Sequence, residues 1–210
     1  MSDFDDEEYE SFELDGTVKP AAVRPQGADR VEVDDADVEE DVDSDDDLED
    51  ATDEEIDFVL AAYREDGQPY VQALAKDLAN DLEELIVQLR RLPGDAGALG
   101  FVSLVEDVFV LIRVRGPHVQ VLLSDGGAAA DWPIAHDVVE YLGIEIPDED
   151  DDAEPLGDLG ILADLGVSDF DLSTIVDNLD LSSDQMLIEI AEKINLNPQF
   201  RRMVDASFQR

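Results

Sequence analysis

The chain has 210 residues, with 13 Lys and Arg against 56 Asp and Glu, a formal net charge of -43 and no cysteine. A field of that sign repels the phosphates of nucleic acid and an anionic membrane surface, and it favours cationic protein faces and free cations as partners. The missing Cys excludes disulfides, thiolate zinc sites and cysteine nucleophiles, and no stretch approaches the roughly 20 apolar residues that a membrane-spanning helix needs.

Residues 1–54 read as a disordered acidic tail. Residues 1–50 hold 22 Asp and Glu against Lys19, Arg24 and Arg30 alone, and a segment of that composition repels itself and has little apolar surface to bury. Two apolar islands interrupt it: Phe4, Tyr9, Phe12 and Leu14, then the proline-containing stretch from Val18 to Val23. Either could dock a partner, and both also read as spacer. Met1 to Glu10 is acidic and lacks the apolar core of a secretory signal, so a cytoplasmic address is expected.

Residues 55–144 read as an α+β domain with a small, mostly antiparallel sheet and two helices. Order begins near Ile56, where Ile56, Phe58, Leu60 and Ala62 alternate with Asp57, Val59 and Ala61 as in a strand. Glu65-Asp66-Gly67 supplies a hairpin turn, with Asp-Gly tolerating positive φ, and Pro69 to Leu74 returns as a second strand. Asp81 starts a helix with Leu82, Leu85, Ile86 and Leu89 on one face, stopped by Pro93-Gly94. Phe101–Val105, Val108–Arg115 and His118–Leu123 then form a meander, with turns at Glu106-Asp107 and Gly116-Pro117. In the middle strand Val108, Val110, Ile112 and Val114 point one way, and Phe109, Leu111, Arg113 and Arg115 the other. Apolar residues on both faces fit a central strand covered by helices. Ser124 or Asp125 caps a second helix with Trp132, Ala135, Val138, Val139 and Leu142 on its face, ending at Gly143.

Residues 145–157 form a second acidic run, closed by Pro155 and Gly157, and read as a linker. Residues 158–210 read as a small C-terminal helical module. Leu159, Leu162 and Leu165 precede Gly166. Leu172, Ile175, Val176 and Leu179 suggest a second short helix. Ser182-Ser183-Asp184 caps another, which holds Met186, Leu187, Ile190, Ala191 and Ile194. Asn197-Pro198 opens the last, carrying Phe200, Met203 and Val204.

Few residues in this chain could carry chemistry. Asp43, Asp45, Asp47 and Glu54 fall at calcium-loop positions 1, 3, 5 and 12. Leu48 replaces the obligatory Gly, however, and Asp50 stands where an apolar residue belongs, so the match is what dense carboxylates give by chance. His118 and His136, the only histidines, lack any paired metal-ligand spacing. Ser124-Asp125-Gly126-Gly127 lies between a strand and a helix, where backbone N–H groups can hold an anion, but no Walker or GxGxxG pattern accompanies it and a helix cap is the simpler reading. Gly94, Gly97 and Gly100 read as loop glycines, and Glu106 and Asp107 as a solvated acid pair. Arg90 and Arg91, Arg113 and Arg115, and Arg201 and Arg202 are too dispersed for a nucleic-acid footprint and are expected to pair with carboxylates. No catalytic, cofactor-binding or metal-binding residue is assigned.

The segment DVFVLIRVRGPHVQVLLSDGGAAADW (Asp107–Trp132), an acidic run, and then PLGDLGILADLGVS (Pro155–Ser168) resemble the actinobacterial tRNA adenosine deaminase-associated proteins over roughly residues 55–205. The LSD-x-x-AA turn and the GDLxxLADLG segment carry the resemblance. It implies a gene neighbourhood with a tRNA adenosine deaminase, and that enzyme as a partner. The chain cannot itself be that zinc deaminase, which needs a P-C-x-x-C motif.

Three functions follow as expectations. The first is a non-catalytic accessory protein that binds a basic face, the deaminase being the implied partner, without direct nucleic-acid or membrane binding and without a cofactor. The second is an enzyme with a site on the sheet near His118, Ser124 and Asp125. The third is a generic scaffold that docks partners on its C-terminal helical module.

Overall fold

The computed structural model describes residues 48–94, 97–146 and 154–209. The tail islands, Asp43, Asp45 and Asp47 of the calcium-like pattern, and residues 147–153 of the acidic run lie outside the described residues.

Among the described residues, six strands form one antiparallel sheet in the order β2-β1-β3-β4-β5-β6. β1 (Ile56–Glu65) turns back into β2 (Gln68–Ala73) through Asp66 at φ 51° and Gly67 at φ 77°, and Glu65 pairs with Gln68. Both φ values lie in the left-handed region that an Asp-Gly turn accepts at little cost. β3 (Ala98–Leu104) then pairs on the other side of β1, and β4 (Val108–Arg115) and β5 (His118–Leu123) continue as the meander expected from the sequence. Between β2 and β3 a short 3-10 turn, Lys76–Asn80, leads into α1 (Leu82–Arg90), whose N-cap is Asp81 accepting from the Glu84 N–H. A second 3-10 turn, Gly126–Ala130, precedes α2 (Pro133–Leu142), which ends on Gly143 at φ 67°.

The sixth strand departs from the sequence reading. Leu156–Gly157, in the stretch read as linker, is β6 and pairs with Leu122 and Leu123 of β5. Local propensity could not show two residues between Pro155 and Asp158 as a strand. Their place is fixed by hydrogen bonds to distant backbone: Asp158 N–H donates to the Val121 carbonyl at 2.9 Å, and Gly126 N–H to the Glu154 carbonyl at 2.9 Å. Gly157 has φ 112°, and a Cβ there would lie 2.2 Å from the Val121 carbonyl oxygen, so only glycine fits.

Three more features differ from the sequence reading. Gly100 is no loop glycine: it lies inside β3, where a Cβ would come within 2.8 Å of Leu89 Cδ1, so α1 rests directly on the strand backbone. Leu179 is not on the apolar face of a helix. α3 (Asp169–Val176) ends before it, and the Leu179 side chain is 95 % exposed. The residues from Asp158 to Leu165 hold turns and a three-residue 3-10 segment, Ala163–Leu165, in place of a full helix.

The remaining helices are α4 (Ser183–Lys193) and α5 (Gln199–Ser207). α3 and α4 each begin with a capping box, Ser168 with Asp171 and Ser182 with Gln185. Each box satisfies two otherwise orphaned backbone donors.

The sheet carries a core on each face. On one side Val59, Val102, Val110, Ile112 and Leu123 meet α1 and α2 through Leu85, Leu89, Ile134 and Val138. On the other, Phe58, Phe101, Phe109 and Leu111 meet the C-terminal helices through Leu172, Leu187, Ile190 and Phe200. The Phe200 ring stands edge-on to Phe58 at 6.2 Å and to Phe101 at 4.8 Å between centroids. β4 therefore has both its side-chain rows buried, as its sequence foretold, and the C-terminal helices form the third layer of the body.

Candidate functional site

Sequence reasoning singled out His118, Ser124 and Asp125, and the fold separates them. His118 begins β5 and Ser124 follows its end, so the length of that six-residue strand, about 20 Å, separates them. Ser124 Oγ accepts from the Phe109 N–H at 2.9 Å, and Asp125 caps the following turn by accepting from the Gly127 N–H at 2.8 Å. The Gly126 N–H is taken by the Glu154 carbonyl, so the donors that could have held an anion are already engaged. His118 is exposed and His136 is half-buried on α2, on different elements. Among the described residues, no three His, Asp or Glu side chains converge closely enough to hold a metal ion.

Among the described residues, three polar side chains are withdrawn from solvent. Arg113, in the row of β4 that faces the C-terminal layer, is 2 % exposed. Its guanidinium donates to the Ile161 carbonyl at 2.7 Å and forks onto both carboxylate oxygens of Asp164, with Nη2 to Oδ2 at 2.9 Å. Arg115 reaches the same carboxylate at 3.3 Å. The hydrogen bond from Arg113 holds the Asp164 carboxyl below the usual range, against some opposition from burial. Two dispersed arginines of the sequence thus share one carboxylate, and they tie β4 to the Asp158–Gly166 turns.

Ser103 and Ser183 are the other two buried polar residues. Ser103 Oγ donates to Asp57 Oδ2 at 2.8 Å, and the two serine oxygens lie 2.7 Å apart. Because the Ser103 proton goes to the carboxylate, Ser183 is the donor in the serine pair. Asp57 also accepts from the Glu106 N–H at 2.8 Å, and the Ser183 N–H donates to the Glu106 carbonyl at 3.0 Å. This network grips the β3–β4 turn, in which Val105 and Glu106 stand at φ 46° and 58°. A left-handed valine is costly and persists only where its surroundings over-determine it. The sequence reading placed Val105 in the strand. Its burial and partners make the network a structural clasp between the sheet and α4.

Open concavity occurs elsewhere, between α1, α2 and the start of β5. A cleft of about 660 Å³ is lined by Asp81, Glu83, Ile86 and Arg90 from the α1 side, Pro117 and Val119 from the β4–β5 turn and β5, and Asp137, Glu140 and Tyr141 from α2. Glu83, Ile86 and Arg90 follow one another on one face of α1, and Asp137, Glu140 and Tyr141 do so on α2. Asp137 Oδ2 accepts from the Leu82 N–H at 3.0 Å, locking the two helices together, and the Tyr141 hydroxyl reaches the Val119 carbonyl at 3.4 Å. Burial holds the Asp137 carboxyl above the usual range. The Leu82 hydrogen bond pulls it back, and the charges of Asp81 and Glu140 add to the rise. Four carboxylates and one guanidinium thus surround an apolar wall of Ile86, Val119 and the Tyr141 ring. Tyr141 is 50 % exposed, and Ile144 and Ile146 beyond the end of α2 are 43 % and 44 % exposed. Sequence reading missed this cleft, because carboxylates at 81, 83, 137 and 140 are unremarked in a chain with 56 of them.

The third expectation, a partner helix docking on the C-terminal module, meets a module whose apolar face is largely covered. Phe200, Leu187 and Ile190 face the sheet, and Phe170, Leu179 and Phe208 are exposed apolar side chains of the module.

The architecture defines a class: an antiparallel α+β sheet protein with a helical layer on each face. A family model described as Rv3753c-like tRNA adenosine deaminase-associated protein matches residues 57–197, and the chain belongs to that family. A curated relative, "Protein Rv3753c" of Mycobacterium tuberculosis (strain ATCC 25618 / H37Rv), is 32% identical over 151 residues, covering 70% of this chain and 87% of that protein. No solved structure matches the chain. Among the described residues no helix is long and apolar enough to cross a membrane.

Proposed function

We propose that the chain is a non-catalytic accessory protein that binds a tRNA adenosine deaminase through a basic face of that enzyme. The observation that carries the reading is the family match over residues 57–197. The net charge of -43 supports the choice of face. An enzyme that holds tRNA must present Lys and Arg to its phosphates, and a polyanion meets that surface with complementary sign. Bound there, the chain competes with tRNA or shields the surface until tRNA displaces it. A cytoplasmic location belongs to this role. In the same reading residues 1–54 and 145–157 strengthen the long-range field, while the sheet and its helices in residues 55–144 and 158–210 give the contact its shape.

The test is direct association. The purified chain and deaminase are mixed at about 50 mM and about 500 mM salt and followed by analytical ultracentrifugation. A complex at low salt that weakens at high salt is expected, since screening shortens the reach of exposed charge several-fold over that range. Absence of a complex at low salt rejects the reading.

A further inference from the structure

We infer that the groove between α1 and α2 receives a short cationic segment of the partner protein, with one or two Arg or Lys side chains laid along its apolar wall. The inference deepens the proposed function and rests on its claim that the partner's face is basic. The fit is chemical. A Lys or Arg side chain is an apolar stem with a charged head, and it buries the stem wherever the head can reach a counter-charge. Here Ile86, Val119 and the Tyr141 ring offer the stem a wall, while Asp81, Asp137 and Glu140 stand where the head arrives. At about 660 Å³ the groove is far larger than an ion needs and falls within the size range of built ligand sites. An apolar ligand would leave these carboxylates desolvated and unpaired, and a phosphate or nucleic acid would be repelled.

Two details give the groove a direction. Asp137 is half-buried and has spent one oxygen on the Leu82 N–H, which fixes its carboxylate in place before any partner arrives. Arg90 lies eight residues along α1 from Leu82, about 12 Å away. Cations are therefore drawn to the Asp137 end and deflected from the Arg90 end. The Tyr141 ring, half-exposed, offers a cation–π face at the rim.

The full chain is titrated with the blocked tripeptide Arg-Gly-Arg, with Glu-Gly-Glu as the control, and followed by two-dimensional NMR. Saturable shifts at the amides of Ile86, Val119 and Tyr141 with the cationic peptide alone are expected. If those amides stay still, the inference fails. The double variant Asp137→Asn with Glu140→Gln should weaken this binding about tenfold, as loss of two close charge pairs implies. Tyr141→Ala, which alters no charge, should weaken it about threefold. Asp177→Asn with Asp180→Asn removes the same charge from the opposite layer and should leave binding within about twofold, the change expected of surface charge far from the contact. Equal weakening by both double variants would mean bulk attraction without a site, and would overturn the inference. The same variants are then measured against the deaminase. If the enzyme binds wild type and the groove variants equally, the groove falls and the partner reading stands. If the enzyme ignores wild type while the tripeptide still occupies the groove, the partner reading falls and the groove stands.

Discussion

Asp164→Asn tests whether the clamp on Arg113 holds the C-terminal layer to the sheet. The substitution keeps the size of the side chain and one acceptor oxygen, but it removes the counter-charge of an arginine that is 2 % exposed. Stripping one partner from a fully buried pair costs about 3–5 kcal/mol. Two features lower that figure here: the Asp164 side chain is 52 % exposed, so water screens the pair, and Arg113 keeps its bond to the Ile161 carbonyl. A loss of about 2 kcal/mol at pH 7 is expected, or about 4–8 °C in melting temperature for a body of this size. The pH dependence carries the sharper prediction. The folded carboxyl titrates below its ordinary value of 3.8, so its contribution is present above that value and is lost as the pH falls through the lower folded value. The gap between wild type and Asp164→Asn should therefore be full at pH 7 and close progressively below about pH 4. Urea unfolding followed by circular dichroism at a series of pH values measures it. A gap that is absent at pH 7, or equally wide at pH 7 and in acid, refutes the reasoning.

Other substitutions probe the remaining contacts. Ser183→Ala removes the donor of the serine pair but leaves Ser103 bonded to Asp57, and should cost about 1 kcal/mol; Ser103→Ala strands the Ser183 hydroxyl and should cost about 2 kcal/mol, so chemical denaturation should rank them in that order. Val105→Asn puts a residue that tolerates the left-handed region at φ 46° and should raise stability by roughly 0.5–1 kcal/mol, read as a higher melting temperature. Phe200→Ala empties the ring's place between Phe58 and Phe101 and should cost about 3–5 kcal/mol by urea unfolding. Gly157→Ala drives a Cβ against the Val121 carbonyl and should release β6. Hydrogen exchange would show it, because the Asp158 amide, which donates to that carbonyl, loses its protection.

The sheet was largely legible from the sequence because its signals are local. Asp66-Gly67 names its turn, and the doubled apolar rows of Val108–Arg115 announce a strand covered on both sides. What escaped is set by distant partners. β6 exists because the Val121 carbonyl and the Gly126 N–H bond the backbone on either side of it, at Asp158 and Glu154, and no two-residue window can state that. Leu179 matches the spacing of a core position, but α3 has already ended when the chain reaches it. Val105, read as strand, leaves it where Asp57 and Ser183, 48 residues before it and 78 after, bond the backbone of the next residue, Glu106. The groove escaped for a different reason. Its walls come from two helices some 55 residues apart, and its acids look like all the others until the fold brings Leu82 against Asp137.

The central sheet is a wall shared by two rooms, and one of them is furnished last. Phe58, Phe101, Phe109 and Leu111 are made early in synthesis, yet the helices that shelter them come only after residue 168. A nascent chain must therefore carry an oily flank until its final fifth emerges. A product that stops short of α3 would present that flank to its neighbours, and aggregation would claim it before any partner did.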